Sequence, residues 1–470
     1  MKGKNSKVIN LSVMQTMILC TAVLAMTLFR LSVATSGSLT EGEAFLSLCS
    51  THPSGGYLEG PAGVPLLLAF FKIMGGTGIF FLRCIPALTI LPLSWCVWWI
   101  GRRVTPHRPS LALWSVLALN VVPYVNVASL VMNGALVTAM FVTLAVVAGW
   151  HAVLNGGGRW SKEVTSSWAL FGVTLGVTLG VTTLFYQPVG LLLLGAIVFR
   201  FVNLGWKSIP WHGVLLAALL VILGWVPSLS WNARHDWIQW SSVAEGFDTI
   251  HLVGFSFSLG LLVALIALLI PFAVRLAYSG MIARVILLFL AVIGSMASGL
   301  LLLVPSLIPS GLPSPIGVAG IKEASEQALA CRKERTDTAG HTPFLIASTP
   351  GLAALLGNHL AVEYPERPGS PSVFVAESPS MNSSYALWPS YPDAVAAGVK
   401  DNLYTEEKSV SPFLGRNALY ITTETKEELP QTITGAFNAV ALLKEVPITI
   451  HAKQQVLRIY QCEGYRTLSL

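Results

Sequence analysis

INLSVMQTMILCTAVLAMTLFRLSVA, residues 9–34, is one apolar run in which Arg30 is the lone charge. A helix rises about 1.5 Å per residue and the hydrocarbon core is about 30 Å thick, so this run can cross a bilayer. Lys2, Lys4 and Lys7 precede it. It leads into LTEGEAFLSLCSTHPSGGYLEGP, residues 39–61, which holds Glu41, Glu43 and Glu59 but no lysine or arginine. A cationic flank before the run and an acidic loop after it predict a cytoplasmic N-terminus and an outside loop. Ser32-Val33-Ala34 has the small-residue pattern of a signal-peptide cleavage site, but the apolar stretch is too long for one and reads as a retained anchor.

Further apolar runs lie near 79–101, 110–129, 133–153, 167–185, 188–204, 211–230, 251–275 and 284–308. With 53% of 470 residues hydrophobic, 11% charged and a mean hydropathy of +0.66, the chain reads as a polytopic α-helical membrane protein of about nine spans. The net charge of +6 does not point to nucleic acid, because the basic residues are scattered over short loops. Lys2, Lys4, Lys7, Arg102, Arg103, Arg108, Arg159, Lys162, Arg200, Lys207, Arg275 and Arg284 all fall on one side, and Arg234 alone on the other. Positive charge stays cytoplasmic, so this asymmetry predicts an inner-membrane, multi-pass protein whose C-terminus lies outside. Residues 62–78, PAGVPLLLAFFKIMGGT, are broken by Pro65, Lys72 and Gly75-Gly76 and read as an interfacial helix within the outside loop 35–78. A tenth span there would invert every later loop.

Two domains are therefore expected, a multispan unit at 1–309 and an extracytoplasmic α/β unit at 310–470. Strands are predicted at 344–348, 373–377, 418–423 and 447–452, with helices at 350–360 and 434–444. Cys20, Cys84 and Cys96 read as buried apolar residues of spans. Cys331 and Cys462 share the outside unit, where a disulfide is chemically permitted, and whether they pair stays open. The glycines of GVTLGVTLG, Gly172 to Gly180, suit close helix packing. Gly156-Gly157-Gly158 has no lysine and hydroxyl residue behind it and is not a phosphate loop.

Several stretches carry a family resemblance. WNARHDWIQW (231–240), SYALWPSY (384–391), ALYITTE (418–424), VLRIYQCEGY (456–465) and SGLPSP (310–315) follow the order of parts found in the GT-C class of membrane glycosyltransferases. The chain resembles in particular the bacterial relatives of protein O-mannosyltransferases and aminoarabinose transferases. That resemblance implies a multispan core followed by an outside α/β domain, and sugar taken from a polyprenyl-phosphate donor with inversion at the anomeric carbon. The acceptor, a glycan, lipid or protein of the envelope, is left open.

The reactive positions of that family are altered here. Its Asp-Glu-Ala is Gly42-Glu43-Ala44, and its tyrosine-acid-His/Lys-Pro-Pro motif is YLEGPA, which keeps Tyr57 and Glu59 but has Gly60 and Ala62. A Pro-Asp pair is Asn133-Gly134, and a Ser-Lys-Tyr motif is Leu184-Phe185-Tyr186. Transfer needs a carboxylate to deprotonate an acceptor hydroxyl and cations on the departing phosphate. Glu41 and Glu43, flanking the lost aspartate, are the catalytic candidates. Glu59, Tyr57, Arg83, Tyr186, Trp231, Arg234, His235 and Trp237 are the candidates for holding substrate, the arginines through phosphate and the indoles through stacking. Glu41 and Glu43 alone are weak evidence for a divalent ion, so no metal or other cofactor is expected. Arg30 reads as a snorkelling side chain. Membrane lipid is an expected partner.

Two readings remain open. The leading one is an active transferase, favoured by the retained Glu43, Glu59 and the Trp-rich loop. The other is a catalytically inactive relative that binds lipid-linked glycan or serves as an envelope-assembly subunit, and the altered motif positions favour it. A transporter is the third possibility, disfavoured because the spans lack carboxylates and inverted repeats.

Overall fold

In the computed structural model, the described residues are 2–34, 38–76, 78–155, 162–204, 211–239, 254–304, 317–336, 341–378, 383–392, 411–450 and 453–466. The SGLPSP stretch, Gly156-Gly157-Gly158, Arg159, Lys207, Trp240 and the 309/310 boundary lie outside them.

Each apolar run is helical. The helices are α1 (Lys2–Ala34), α4 (Gly78–Val104), α5 (Pro109–Asn120) with α6 (Pro123–Ala128), α7 (Ala135–Asn155), α8 (Lys162–Thr183), α9 (Leu191–Leu204), α10 (Trp211–Arg234), α11 (Gly254–Ser279) and α12 (Met281–Leu303). Among the described residues four helices are long and apolar enough to cross a membrane, and the others present shorter apolar stretches. The third run is interrupted between α5 and α6 because Pro123 has no N–H to continue the ladder and instead starts a new helix.

Between α1 and α4 the chain forms α2 (Glu41–Cys49), a small antiparallel pair of β1 (Gly56–Tyr57) with β2 (Gly60–Pro61), and α3 (Gly63–Ile73). The 11 residues of α3 extend about 16 Å, too short to span. Its end exposes Phe70, Ile73 and Met74, an apolar edge suited to the interface.

Small residues set the closest helix contact. Gly172 and Gly176 of α8 lie against Gly213 and Ala217 of α10, and a Cβ added at Gly224 would collide with the Gly180 carbonyl oxygen. Gly224→Val should force α8 and α10 apart, costing about 1–3 kcal/mol. A drop in the thermal midpoint of the purified protein, with Gly195→Ala in open space as the neutral control, checks this.

Arg30 does not snorkel. It is 1% exposed and is held by amides: Nε and Nη2 donate to Asn126 Oδ1 at 3.0 and 2.5 Å, and Nη1 to Asn120 Oδ1 at 3.1 Å. Two asparagines flanking the α5–α6 break satisfy the guanidinium within the bundle, which offsets the cost of leaving headgroup water. Cys84 and Cys96 are buried as expected, whereas Cys20 faces outward and is exposed.

The C-terminal unit is a five-stranded sheet ordered β4-β3-β5-β7-β6. Its strands are β3 (Phe344–Ala347), β4 (Phe374–Val375), β5 (Ala418–Thr422), β6 (Phe437–Ile450) and β7 (Lys453–Tyr465). β4 and β5 run parallel to β3, and β7 is antiparallel to both β5 and β6. Helices α13 (Ile321–Glu334) and α14 (Pro350–His359) accompany the sheet. The helix expected at 434–444 is a strand. Ala, Leu and Lys there favour a helix locally, but pairing along β7 outweighs propensity. Cys331 and Cys462 are both free thiols.

The loop between α1 and α4 and the C-terminal unit share one apolar core, in which Phe45, Leu46, Cys49 and Tyr57 join Phe344, Leu352 and Tyr385. The sheet unit is thus packed onto the loop that carries the acidic residues.

Candidate functional site

Thr40 begins α2 with a capping box. The Glu43 N–H donates to Thr40 Oγ1 at 3.2 Å, and the Thr40 N–H donates back to Glu43 Oε2 at 3.1 Å. This turns the Glu43 carboxylate away from solvent and toward α4, where Arg83 meets it with two bonds. Nε donates to Oε1 at 2.8 Å and Nη2 to Oε2 at 2.7 Å, with both side chains 0% exposed. The Met132 N–H adds a bond to Oε1 at 3.0 Å, and Arg83 Nη2 also donates to the Ser38 carbonyl at 2.8 Å. Four segments converge on this one ion pair. Here Glu43 and Arg83 satisfy each other, so neither stands open to a hydroxyl or a phosphate.

Glu41, two residues earlier, goes elsewhere. A Cβ built on Gly351 would lie 2.7 Å from Glu41 Oε2, so the carboxylate rests on the first turn of α14. That position suits the positive end of the helix dipole. Asn358 near the other end of α14 donates to the Ala44 carbonyl at 3.0 Å, which ties α14 along α2.

Glu59 occupies a third environment. Within the β1–β2 turn, it is 5% exposed and accepts the Ser384 N–H on Oε1 at 2.8 Å and the Ser384 hydroxyl on Oε2. The same Ser384 Oγ accepts the Leu58 N–H at 2.9 Å. Burial raises the Glu59 pKa above the ordinary carboxylate range, opposed by the two Ser384 bonds. Beside it the Tyr385 hydroxyl is buried without a hydrogen-bond partner among the described residues. The Glu59 and Cys49 side chains and burial push its pKa well up, with burial the largest cause. Tyr57 donates its hydroxyl to the Cys49 and His52 carbonyls at 2.9 and 2.8 Å, which braces the loop. His52 stacks on Trp388, with ring centroids 4.8 Å apart.

The C-terminal end of α10 closes the other side. Gly55 and Gly56 approach it so tightly that a Cβ at Gly55 would strike the Pro227 carbonyl, and one at Gly56 would lie 3.0 Å from the Trp231 indole. Trp231 is buried and stacks on His235 at 4.3 Å. Gln239 donates to the Tyr57 carbonyl at 2.9 Å and accepts from Asn232 at 3.0 Å. Arg234 is exposed in the last turn of α10. Asp236 and Trp237 both adopt left-handed backbone, at φ of 52° and 58°, so that the Trp237 N–H can reach the Asn232 carbonyl at 2.9 Å. Trp237 itself points outward, 44% exposed. Tyr186 packs against the apolar core of the bundle just after the C-terminal end of α8, while the Leu184 carbonyl two residues earlier accepts the Gly63 N–H at 2.7 Å.

Glu59, Tyr57, Trp231 and His235 are therefore brought to one place, with Arg234 on its rim. Glu43 and Arg83 form a separate ion pair, Glu41 lies under α14, and Tyr186 is in the bundle. Ser384, Tyr385 and Gln239 are partners that sequence reading did not single out. Ser384 and Tyr385 lie in SYALWPSY and Gln239 in WNARHDWIQW, but no local signal marks which of those residues would face Glu59.

A pH effect follows from Glu59. Because the folded protein holds its proton more tightly than the unfolded chain, this site's contribution to stability is complete below the ordinary carboxylate pKa. It is lost as pH rises through the folded value. The thermal midpoint of the wild type minus that of Glu59→Gln should fall as pH rises above the ordinary carboxylate range, measured by unfolding in detergent.

A family described as dolichyl-phosphate-mannose-protein mannosyltransferase matches residues 59–231, the stretch from Glu59 to Trp231. No curated protein matches the chain. The crystal structure of ArnT from Cupriavidus metallidurans bound to undecaprenyl phosphate superposes with a TM-score of 0.52 over 94% of this chain and 97% of that one. The chain has the GT-C fold. At 15% identity the likeness to ArnT is one of architecture. It extends beyond the stretch matched by the family to most of the chain.

Proposed function

We propose that this GT-C protein is a glycosyltransferase that takes a sugar from a polyprenyl-phosphate donor at the extracytoplasmic face of the inner membrane. Glu59 is the base in this reading. A hydroxyl of the envelope acceptor gives its proton to the Glu59 carboxylate while its oxygen attacks the anomeric carbon. The bond from that carbon to the phosphate oxygen breaks, and the phosphate leaves with the electron pair. Inversion results. Arg234, exposed at the end of α10, is the cation for the departing phosphate in this reading, and Trp237, exposed in the same segment, offers an apolar face to sugar or lipid.

The observation that carries this reading is the environment of Glu59. Of the three loop carboxylates it is the one that is buried without an ion-pair partner among the described residues. A base of raised pKa is stronger once deprotonated. Ser384 and Tyr385, carried by the C-terminal unit, must withdraw to admit an acceptor.

The second reading, a binder without turnover, is favoured by a different observation. Gly42 and Gly60 stand where the resembling enzymes carry reactive side chains, and Glu43 with Arg83 is closed on itself. Purified protein in nanodiscs, given a panel of radiolabelled polyprenyl-phosphate sugars with envelope extract as acceptor, separates the two. Sugar transfer supports the first reading. Saturable donor binding with no transfer supports the second, and neither binding nor transfer would sink both.

A further inference from the structure

A cluster of arginines lies at the opposite end of the bundle, far in sequence from the acidic loop. Arg103 ends α4 with its guanidinium 3.9 Å from the Trp99 ring centroid. Arg108, at the start of α5, reaches across to α11 and sits 4.2 Å over the Tyr278 ring. Arg275 of α11 reaches back and donates to the Val104 carbonyl at 3.0 Å. These three side chains cross between the α4–α5 turn and the end of α11, and all are exposed. Among the described residues none of them forms an ion pair with a carboxylate.

The sequence supplies no nearby counter-charge. From Gly60 to Lys162 there is no aspartate or glutamate at all. Orientation alone requires a modest excess of scattered lysines and arginines. It does not require guanidiniums braced on aromatic rings and on a helix-end carbonyl, an arrangement that holds their forks in place before any ligand arrives. Directly above the cluster toward the membrane centre, Trp99 and Trp150 pack against the same apolar group, and Phe272 stacks on Trp150 at 6.2 Å. A charged rim over an aromatic, lipid-facing wall matches an amphiphile with an anionic head and apolar tails.

We infer that Arg103, Arg108 and Arg275 form a binding site for the phosphate headgroup of an anionic membrane phospholipid, with its acyl chains along Trp99, Trp150 and Phe272. Basic residues at the headgroup level attract anionic lipid, so the three arginines together favour an anionic over a zwitterionic lipid by about tenfold. The site is independent of the sugar-transfer reading.

The test uses the delipidated full chain in neutral detergent with equimolar phosphatidylglycerol and phosphatidylcholine, read by native mass spectrometry. Phosphatidylglycerol adducts should dominate by about tenfold. In Arg103→Gln/Arg108→Gln/Arg275→Gln the preference should disappear, while Lys2→Gln/Lys4→Gln/Lys7→Gln, which removes equal charge from the same side, should keep it. Loss in both variants, or in neither, would overturn the site. Displacement of the lipid by millimolar inorganic phosphate would also overturn it, by assigning the arginines to free phosphate. If the arginine variant fails to fold, thermal unfolding of the wild type decides: phosphatidylglycerol should raise the midpoint more than phosphatidylcholine, and equal shifts would count against it.

Discussion

Arg83→Met should be the most damaging single substitution in the protein, lowering stability by about 3–5 kcal/mol, because it strands a buried carboxylate. Glu43 has both oxygens committed to Arg83, to the Thr40 N–H and to the Met132 N–H, and water has no access to replace the lost donors. The loss should spread, since the pair links the start of α2, the segment before it at Ser38, α4 and the turn after α6. A second change distinguishes a structural pair from a catalytic one. Glu43→Leu/Arg83→Met removes both charges and should recover a large part of the stability, since replacing a whole buried pair by apolar side chains is often neutral. Thermal unfolding of the two variants and Glu43→Leu alone gives the cycle. A double variant no better than Arg83→Met would show that the two side chains do not act through each other. Recovery of stability together with retained donor binding would place the pair in the scaffold.

Glu59→Gln should abolish sugar transfer, by about 10²–10⁴-fold, while leaving donor binding near the wild-type level. The amide is nearly isosteric and can still accept from Ser384, so the packing of the C-terminal unit on the loop is kept. What disappears is the ability to take a proton. The wild-type rate should climb as pH rises through the Glu59 pKa, which burial holds above the ordinary carboxylate range. Stability at the same site moves the opposite way, because the protonated carboxyl is the form that burial prefers. Ser384→Ala removes a donor from the carboxylate and should shift that limb of the rate profile further toward alkaline pH. Unchanged turnover in Glu59→Gln would remove Glu59 as the base.

Much of the frame was legible residue by residue. The helix over residues 350–359 and the strands at 344–347 and 418–422 fell where periodicity and composition placed them. The stretch from Phe437 onward did not, since its Ala-Leu-Lys content speaks for a helix and only the partner strand β7 makes it extended. Arg30 shows the same limit. A lone charge near the end of an apolar run reads as reaching for headgroups, and nothing local reveals that Asn120 and Asn126 wait for it inside the bundle.

The candidate site was legible as a region and not as an arrangement. The acidic loop, WNARHDWIQW and SYALWPSY were each conspicuous, and the fold does bring them together. Which carboxylate does what was another matter. Glu43 and Glu59 look alike along the chain, yet one meets an arginine 40 residues away and the other a serine 325 residues away.

By itself the sequence determined that the chain enters the membrane, where its helices run and which loops carry charge, because hydropathy and charge are summed over neighbouring residues and need no distant partner. Only the tertiary structure decided that Glu43 closes on Arg83, that Glu41 lies under α14 and that Glu59 is buried against Ser384. Those environments depend on which groups meet across the fold. In a low-dielectric interior, a partner at hydrogen-bond distance governs a carboxylate more than anything beside it in the chain.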